Sequence, residues 1–82
     1  MFGLFGKSGF DSEMEKLEKE HKALGAELIT AMQRFDLMGQ MRIIDSQLDL
    51  YARRIECCNR YGKFDISTRL ESERNRLKEL RG

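Results

Sequence analysis

Residues 35–44, Phe-Asp-Leu-Met-Gly-Gln-Met-Arg-Ile-Ile, decide how this chain folds, because two apolar repeats meet there without joining. Upstream, Met14, Leu17, His21, Leu24, Leu28, Ala31, Phe35 and Met38 follow alternating steps of three and four. Downstream, Met41, Ile44, Leu48, Tyr51, Ile55 and Cys58 do the same. Such spacing puts one apolar stripe on a helix, as in the seam of a coiled coil. The two series are out of phase at Gly39-Gln40, so a single straight helix would have to swing its stripe around its axis. The rival to a turn is one continuous helix from about residue 12 to about residue 61, with a stammer at Gly39.

A turn at Gly39-Gln40 resolves the mismatch. It pairs Met38 with Met41, Phe35 with Ile44, Ala31 with Leu48, Leu28 with Tyr51, Leu24 with Ile55, and His21 with Cys58, all in one register. Gly39 suits the left-handed conformation that ends a helix. Gln40 and Met41 are poor caps for the next one. Further out, Ser12 and Glu15 fit a capping box and place the first helix start there. Gly62 ends the second helix and Asp65 caps a third. That third helix carries Ile66, Leu70, Leu77 and Leu80, a stripe interrupted by Glu73 and Arg74. The expected fold is all-α: an antiparallel, coiled-coil-like helical hairpin with a shorter third helix, over residues 11–82. Residues 1–10 form a separate, flexible segment rich in Gly and Phe.

The second helix has another apolar line. Ile43, Leu50 and Cys57 recur every seven residues, away from Leu48. A helix that is apolar on two sides is covered on two sides. With the first helix on one line, the third helix or another copy must cover the other. Leu77 and Leu80 look too few for that task, which predicts a homo-oligomer, a dimer above all, or an obligate protein partner.

Composition narrows the classes of function. The chain has 82 residues, 40% hydrophobic and 35% charged, with a formal net charge of +1. That is one small domain, folded rather than disordered, whose own core is marginal. The charge balance argues against nucleic acid. Acidic residues gather in 11–38 and basic ones in 62–82. Within the latter, Arg74, Arg76, Lys78 and Arg81 alternate with Glu71, Glu73 and Glu79, as on a solvated helix face. The acids Asp11, Glu13, Glu15, Glu18, Glu20 and Glu27 read the same way. No apolar run approaches the roughly 20 residues of a membrane span. Residues 1–10 lack the basic and long apolar regions of a secretory signal. Two adjacent cysteines, Cys57 and Cys58, cannot bridge to each other on a helix. A reduced, cytoplasmic protein is expected.

Residues 1–10 read MFGLFGKSGF. The glycines and Lys7-Ser8 sit too close together for a phosphate-binding loop, and no strand precedes them. The string GLFG resembles the repeat of phenylalanine-glycine nucleoporins, in a single copy. Phe2, Leu4, Phe5 and Phe10 are candidates for a protein groove, or alternatively for a membrane surface. His21 opposite Cys58 is the one pair with chemical potential: an activated thiolate, or half of a zinc site completed by a second copy. A polar residue in a seam more often fixes register.

The resulting expectation is a non-enzymatic protein–protein interaction module, an adaptor, inhibitor or chaperone-like subunit, without cofactor or small-molecule substrate. Its partner-binding residues are Phe2, Leu4, Phe5, Phe10, Ile43, Leu50 and Cys57, with Met32, Met38 and Met41 as an adaptable surface near the turn. The alternative is a membrane-peripheral protein held by its N-terminal Phe and Leu residues.

Overall fold

The computed structural model describes residues 9–82, so Phe2, Leu4 and Phe5 lie outside the described residues. Those described form three helices and no strand: α1 (Gly9–Gln33), α2 (Leu37–Arg60) and α3 (Phe64–Arg81). α2 is central. It packs against both α1 and α3, whose backbones do not approach each other closely. The body measures 46 × 27 × 13 Å.

The chain turns at Arg34–Asp36, not at Gly39-Gln40. This also excludes one continuous helix. Phe35 takes the left-handed conformation, with φ 56°. Its N–H donates to the Met32 carbonyl at 3.1 Å, and the Asp36 N–H donates to the Ala31 carbonyl at 2.9 Å. Those two bonds are the Schellman closure of a helix end, built here around a phenylalanine. Asp36 then caps α2, its Oδ1 accepting from the Gly39 N–H at 2.9 Å. Gly39 is therefore a first-turn residue of α2. It is needed small, because a Cβ there would overlap the Asp36 carboxylate.

Moving the turn moves the register by one heptad. His21 meets the Tyr51 ring, centroids 4.8 Å apart, where Cys58 was expected. Gln40 donates to the Ala31 carbonyl at 3.5 Å, and Arg54 pairs with Glu18 at 3.6 Å. Near the far end, Arg60 forks onto Glu13 at 2.9 and 3.1 Å, and Tyr61 donates to the same carboxylate. The Arg60 guanidinium holds the Glu13 carboxyl below its ordinary pKa. The inward stripe of α1 survives the shift: Met14, Leu17, His21, Leu24, Leu28 and Ala31 are all buried or half-buried.

The two other helix boundaries also differ from the sequence reading. Ser12 and Glu15 lie inside α1 rather than at its start. Phe10 belongs to that helix and is buried, edge-on to Tyr61 at 5.8 Å with the Lys63 ammonium 5.4 Å over its ring. These contacts at the α2–α3 connection reward an extra helical turn upstream. α3 starts after Lys63, so Asp65 sits in its first turn, where its charge suits the helix dipole. The α2–α3 turn uses Gly62 at φ 73°. Gly62 N–H donates to the Asn59 carbonyl, and Lys63 N–H to the Cys58 carbonyl, the same closure as at Phe35.

The tightest core sits at this end: Phe10, Met14, Ile55, Cys57, Cys58 and Leu70, flanked by Leu17, Tyr51 and Ile66. The two apolar lines of α2 take partners opposite to those expected. Ile43 lies with Thr30 and Ala31, Leu50 with Ala23 and Leu24, and Cys57 beside Glu13, so this line faces α1. The line through Tyr51, Ile55 and Cys58 looks towards α3, and at Tyr51 it also meets His21 of α1. Tyr51 donates to Glu73 at 3.3 Å, Cys58 feels the charge of Arg69, and Asp45 receives a two-pronged bond from Arg81 at 2.9 and 3.3 Å. α3 reaches this far with Ser67 and Leu70 buried and Leu77 half-buried. Leu80 points outward instead, 78% exposed.

Candidate interaction surface

The residues singled out from sequence separate into three groups. Leu50 and Cys57 are buried within the chain, at 4% and 0% exposure, and Ile43 is half-buried against α1. This row does not face outward, because α1 occupies it. Phe10 is likewise spent on the core. Phe10, Leu50 and Cys57 are taken up by the chain's own core, while Ile43 remains half-buried.

His21 and Cys58 are not brought together, since His21 faces Tyr51, one heptad earlier in α2. Burial pushes both cysteine thiols above their ordinary pKa, which keeps them protonated at neutral pH. A nucleophilic cysteine needs the opposite shift. Burial, helped by the charge of Arg54, lowers the His21 pKa, with Glu73 opposing. Its Nδ1 is buried without a protein hydrogen-bond partner. Among the described residues no three His, Cys, Asp or Glu side chains gather as a metal site would require. No helix of the described residues is long and apolar enough to cross a membrane.

Most of the exposed large apolar residues lie instead around the α1–α2 turn, with Tyr61, Phe64 and Leu80 exposed outside it. Ile29, Met32, Phe35, Leu37, Met38 and Met41 are 58, 54, 88, 70, 70 and 42% exposed. Three local causes put them there. The Schellman closure at Ala31 and Met32 ends α1 and throws the Phe35 ring into solvent. The Asp36 cap starts α2 with Leu37 and Met38 in its first turn, ahead of any packing partner. α3 is 18 residues long against 24 for α2, and its last arginine is anchored on Asp45. The α2 line that α3 covers thus continues past the end of α3 through Met41. Met32 repeats the positions of Asp11 and Glu18 at seven-residue intervals, and those two line a shallow depression shared with Ile66 and Arg69 of α3.

Of these six, the sequence draws attention to Met32, Met38 and Met41. Its spacing places Phe35 in the seam and gives Leu37 and Ile29 no role. Asp36 followed by Gly39 three residues later was the available signal: a capping aspartate whose N3 residue is small.

No known family model matches the chain, and neither curated proteins nor solved structures yield a match to it.

Proposed function

We propose that this chain is a non-enzymatic protein-interaction module that presents the apolar α1–α2 turn end to a protein partner. In this reading the antiparallel helix pair is a hairpin scaffold, α3 is its brace, and the turn end is the working surface of an adaptor, inhibitor or chaperone-like subunit in a reducing, cytoplasmic setting. The single supporting observation is Phe35. It is 88% exposed and holds a left-handed conformation, φ 56°, at a position where glycine is the ordinary occupant. A non-glycine residue there costs on the order of 1–2 kcal/mol. An exposed ring recovers little of that by packing within its own chain. A strained residue that folding does not favour is a reason to look for binding. Ile29, Met32, Leu37, Met38 and Met41 are exposed around the same turn, and exposed apolar surface of this kind marks interaction sites. Methionines in such a patch let it adapt to its contact.

A photo-activated cross-linker in place of Phe35, with a control at exposed Arg53, tests the reading in cells that express the protein. The expected result is a protein adduct at 35 and none at 53. Adducts to lipid alone would favour the membrane-peripheral alternative, and no adduct at 35 would remove the working surface.

A further inference from the structure

We propose that the α1–α2 corner is a hinge through which two copies of this chain exchange α1. In the exchanged pair the corner opens, α1 and α2 run on in line, and the α1 of each copy lies on the α2 of the other. Exchange is independent of the interaction reading above, because it concerns how the corner closes and not what binds beside it.

The corner is short and strained. Only Arg34–Asp36 separate the two helices, and Phe35 holds φ 56°, where glycine is the ordinary occupant. Such a hinge invites exchange, because opening relieves the strain while the contacts between the two elements are remade with a second copy. Few hydrogen bonds have to change. The Arg34 N–H already donates to the Thr30 carbonyl at 3.1 Å, as in a continuing helix. Phe35 and Asp36 donate to Met32 and Ala31, and trading those two acceptors carries α1 through the corner.

The apolar stripe of α1 also runs on past the corner. After Ala31 it continues at Phe35 and Met38, by steps of four and three. In the closed chain these two residues are 88 and 70% exposed. With the corner opened they extend the packing face of α1.

The register of the closed chain is one that two copies can share. His21 and Tyr51 lie equally far on either side of Asp36, and so do Glu18 and Arg54. A two-fold axis at Asp36 therefore keeps both pairs, now between copies. It also sets Phe35 of each copy opposite Leu37 of the other, two residues that the closed chain leaves in water. Against exchange stand Gly39, which weakens a continuous helix, the Asp36 cap on Gly39, which opening gives up, and the entropy of association. The closed chain is thus the dilute form and the exchanged pair the concentrated one.

Refolding from urea at about 1 μM and at about 1 mM, followed by size separation and mass measurement, tests the exchange. Dilute refolding should return the 9.6 kDa chain, and concentrated refolding a dimer of twice that mass. Nitroxides on Glu20→Cys and Arg53→Cys, exposed residues that line one groove between α1 and α2, report where α1 lies. Cys57 and Cys58 are buried and leave the labelling selective. In dimers refolded with an excess of unlabelled chain, the two labels of one chain should lie about 50 Å apart, the span of an unbroken helix between them. In the monomer they should lie within about 25 Å, across one pair of packed helices. Phe35→Gly should cut the dimer fraction at least about tenfold, because it relieves the closed corner and weakens the open helix, and it should fold as well as the wild type in dilute solution. A wild type that returns only as monomer from about 1 mM would overturn the exchange, as would a dimer whose labels keep the short distance or one indifferent to Phe35→Gly. None of these outcomes decides the interaction reading, which stands or falls on the Phe35 cross-link in cells.

Discussion

The two turns of this chain close on the same hydrogen bonds and differ in the residue at their left-handed position. At the α2–α3 turn it is Gly62, with nothing within 4 Å of where a Cβ would sit. At the α1–α2 turn it is Phe35, largely in water. The surroundings differ in the same sense. Beside Gly62 lie the buried Cys57, Cys58 and Leu70, with Tyr61 and Phe64 on the turn itself 42 and 63% exposed. Beside Phe35 lie Leu37 and Met38, each 70% exposed, with no fully buried side chain next to them. One end sits on the tightest part of the core. The other carries strain and bare apolar area together, which stability alone does not account for. The comparison teaches that backbone geometry and surface chemistry are separate choices: the same turn can be made at low conformational cost, or made to display a ring.

The largest test of this contrast removes a leucine from each end. Leu70→Ala should lower unfolding free energy by about 2–4 kcal/mol, as for a fully buried leucine. Leu37→Ala should stay within about 0.5 kcal/mol in dilute solution. Urea titrations would show both, and equal losses would erase the distinction between the ends. Next come the left-handed positions themselves. Gly62→Ala should cost about 1 kcal/mol, while Phe35→Gly should gain roughly 0.5 kcal/mol in the monomer, strain relief outweighing the added freedom of the unfolded chain. Two changes of the same sign would mean that Phe35 has a packing role after all. Asp36→Ala should cost about 1 kcal/mol by uncapping α2, and amide exchange at Gly39 should accelerate.

The smallest effect lies between the two ends, at His21. Its folded pKa is below the ordinary value of about 6.5, through burial first and the Arg54 charge second. Below about pH 6.5 the unfolded chain takes up a proton that the folded chain still refuses, so stability falls as pH falls towards the folded pKa and is fully present above neutrality. The groups around it are Tyr51 and Arg54 from α2, Glu18 from α1 and Glu73 from α3. Thermal melts at pH 7.5, 6.5 and 5.5 should show the fall, and His21→Gln should flatten it. A wild-type profile that stays level across this range would place the ring in water, outside the packed seam.

Much of the helical plan was legible. The three-and-four spacing of Met14 to Ala31 marks residues that do turn inward. The two apolar lines of α2 are real and both are covered within the chain, although their partners are exchanged. The turn was misplaced because Gly39 is the residue that rules of conformation nominate for a left-handed corner. A phenylalanine in that role follows no local preference. Once the corner sat at Phe35, the residues expected to meet His21 and those left bare both changed.

The sequence by itself determined that this chain makes three helices, which face of α1 is apolar, and that α2 carries two apolar lines. The tertiary structure alone decided which helix covers which line, that His21 meets Tyr51, and that Phe35, Leu37 and Met38 are left in water. The physical reason is that a seven-residue repeat looks the same after sliding by seven. Its periodicity specifies faces, while position along the axis comes from the capped corner at Phe35 and Asp36.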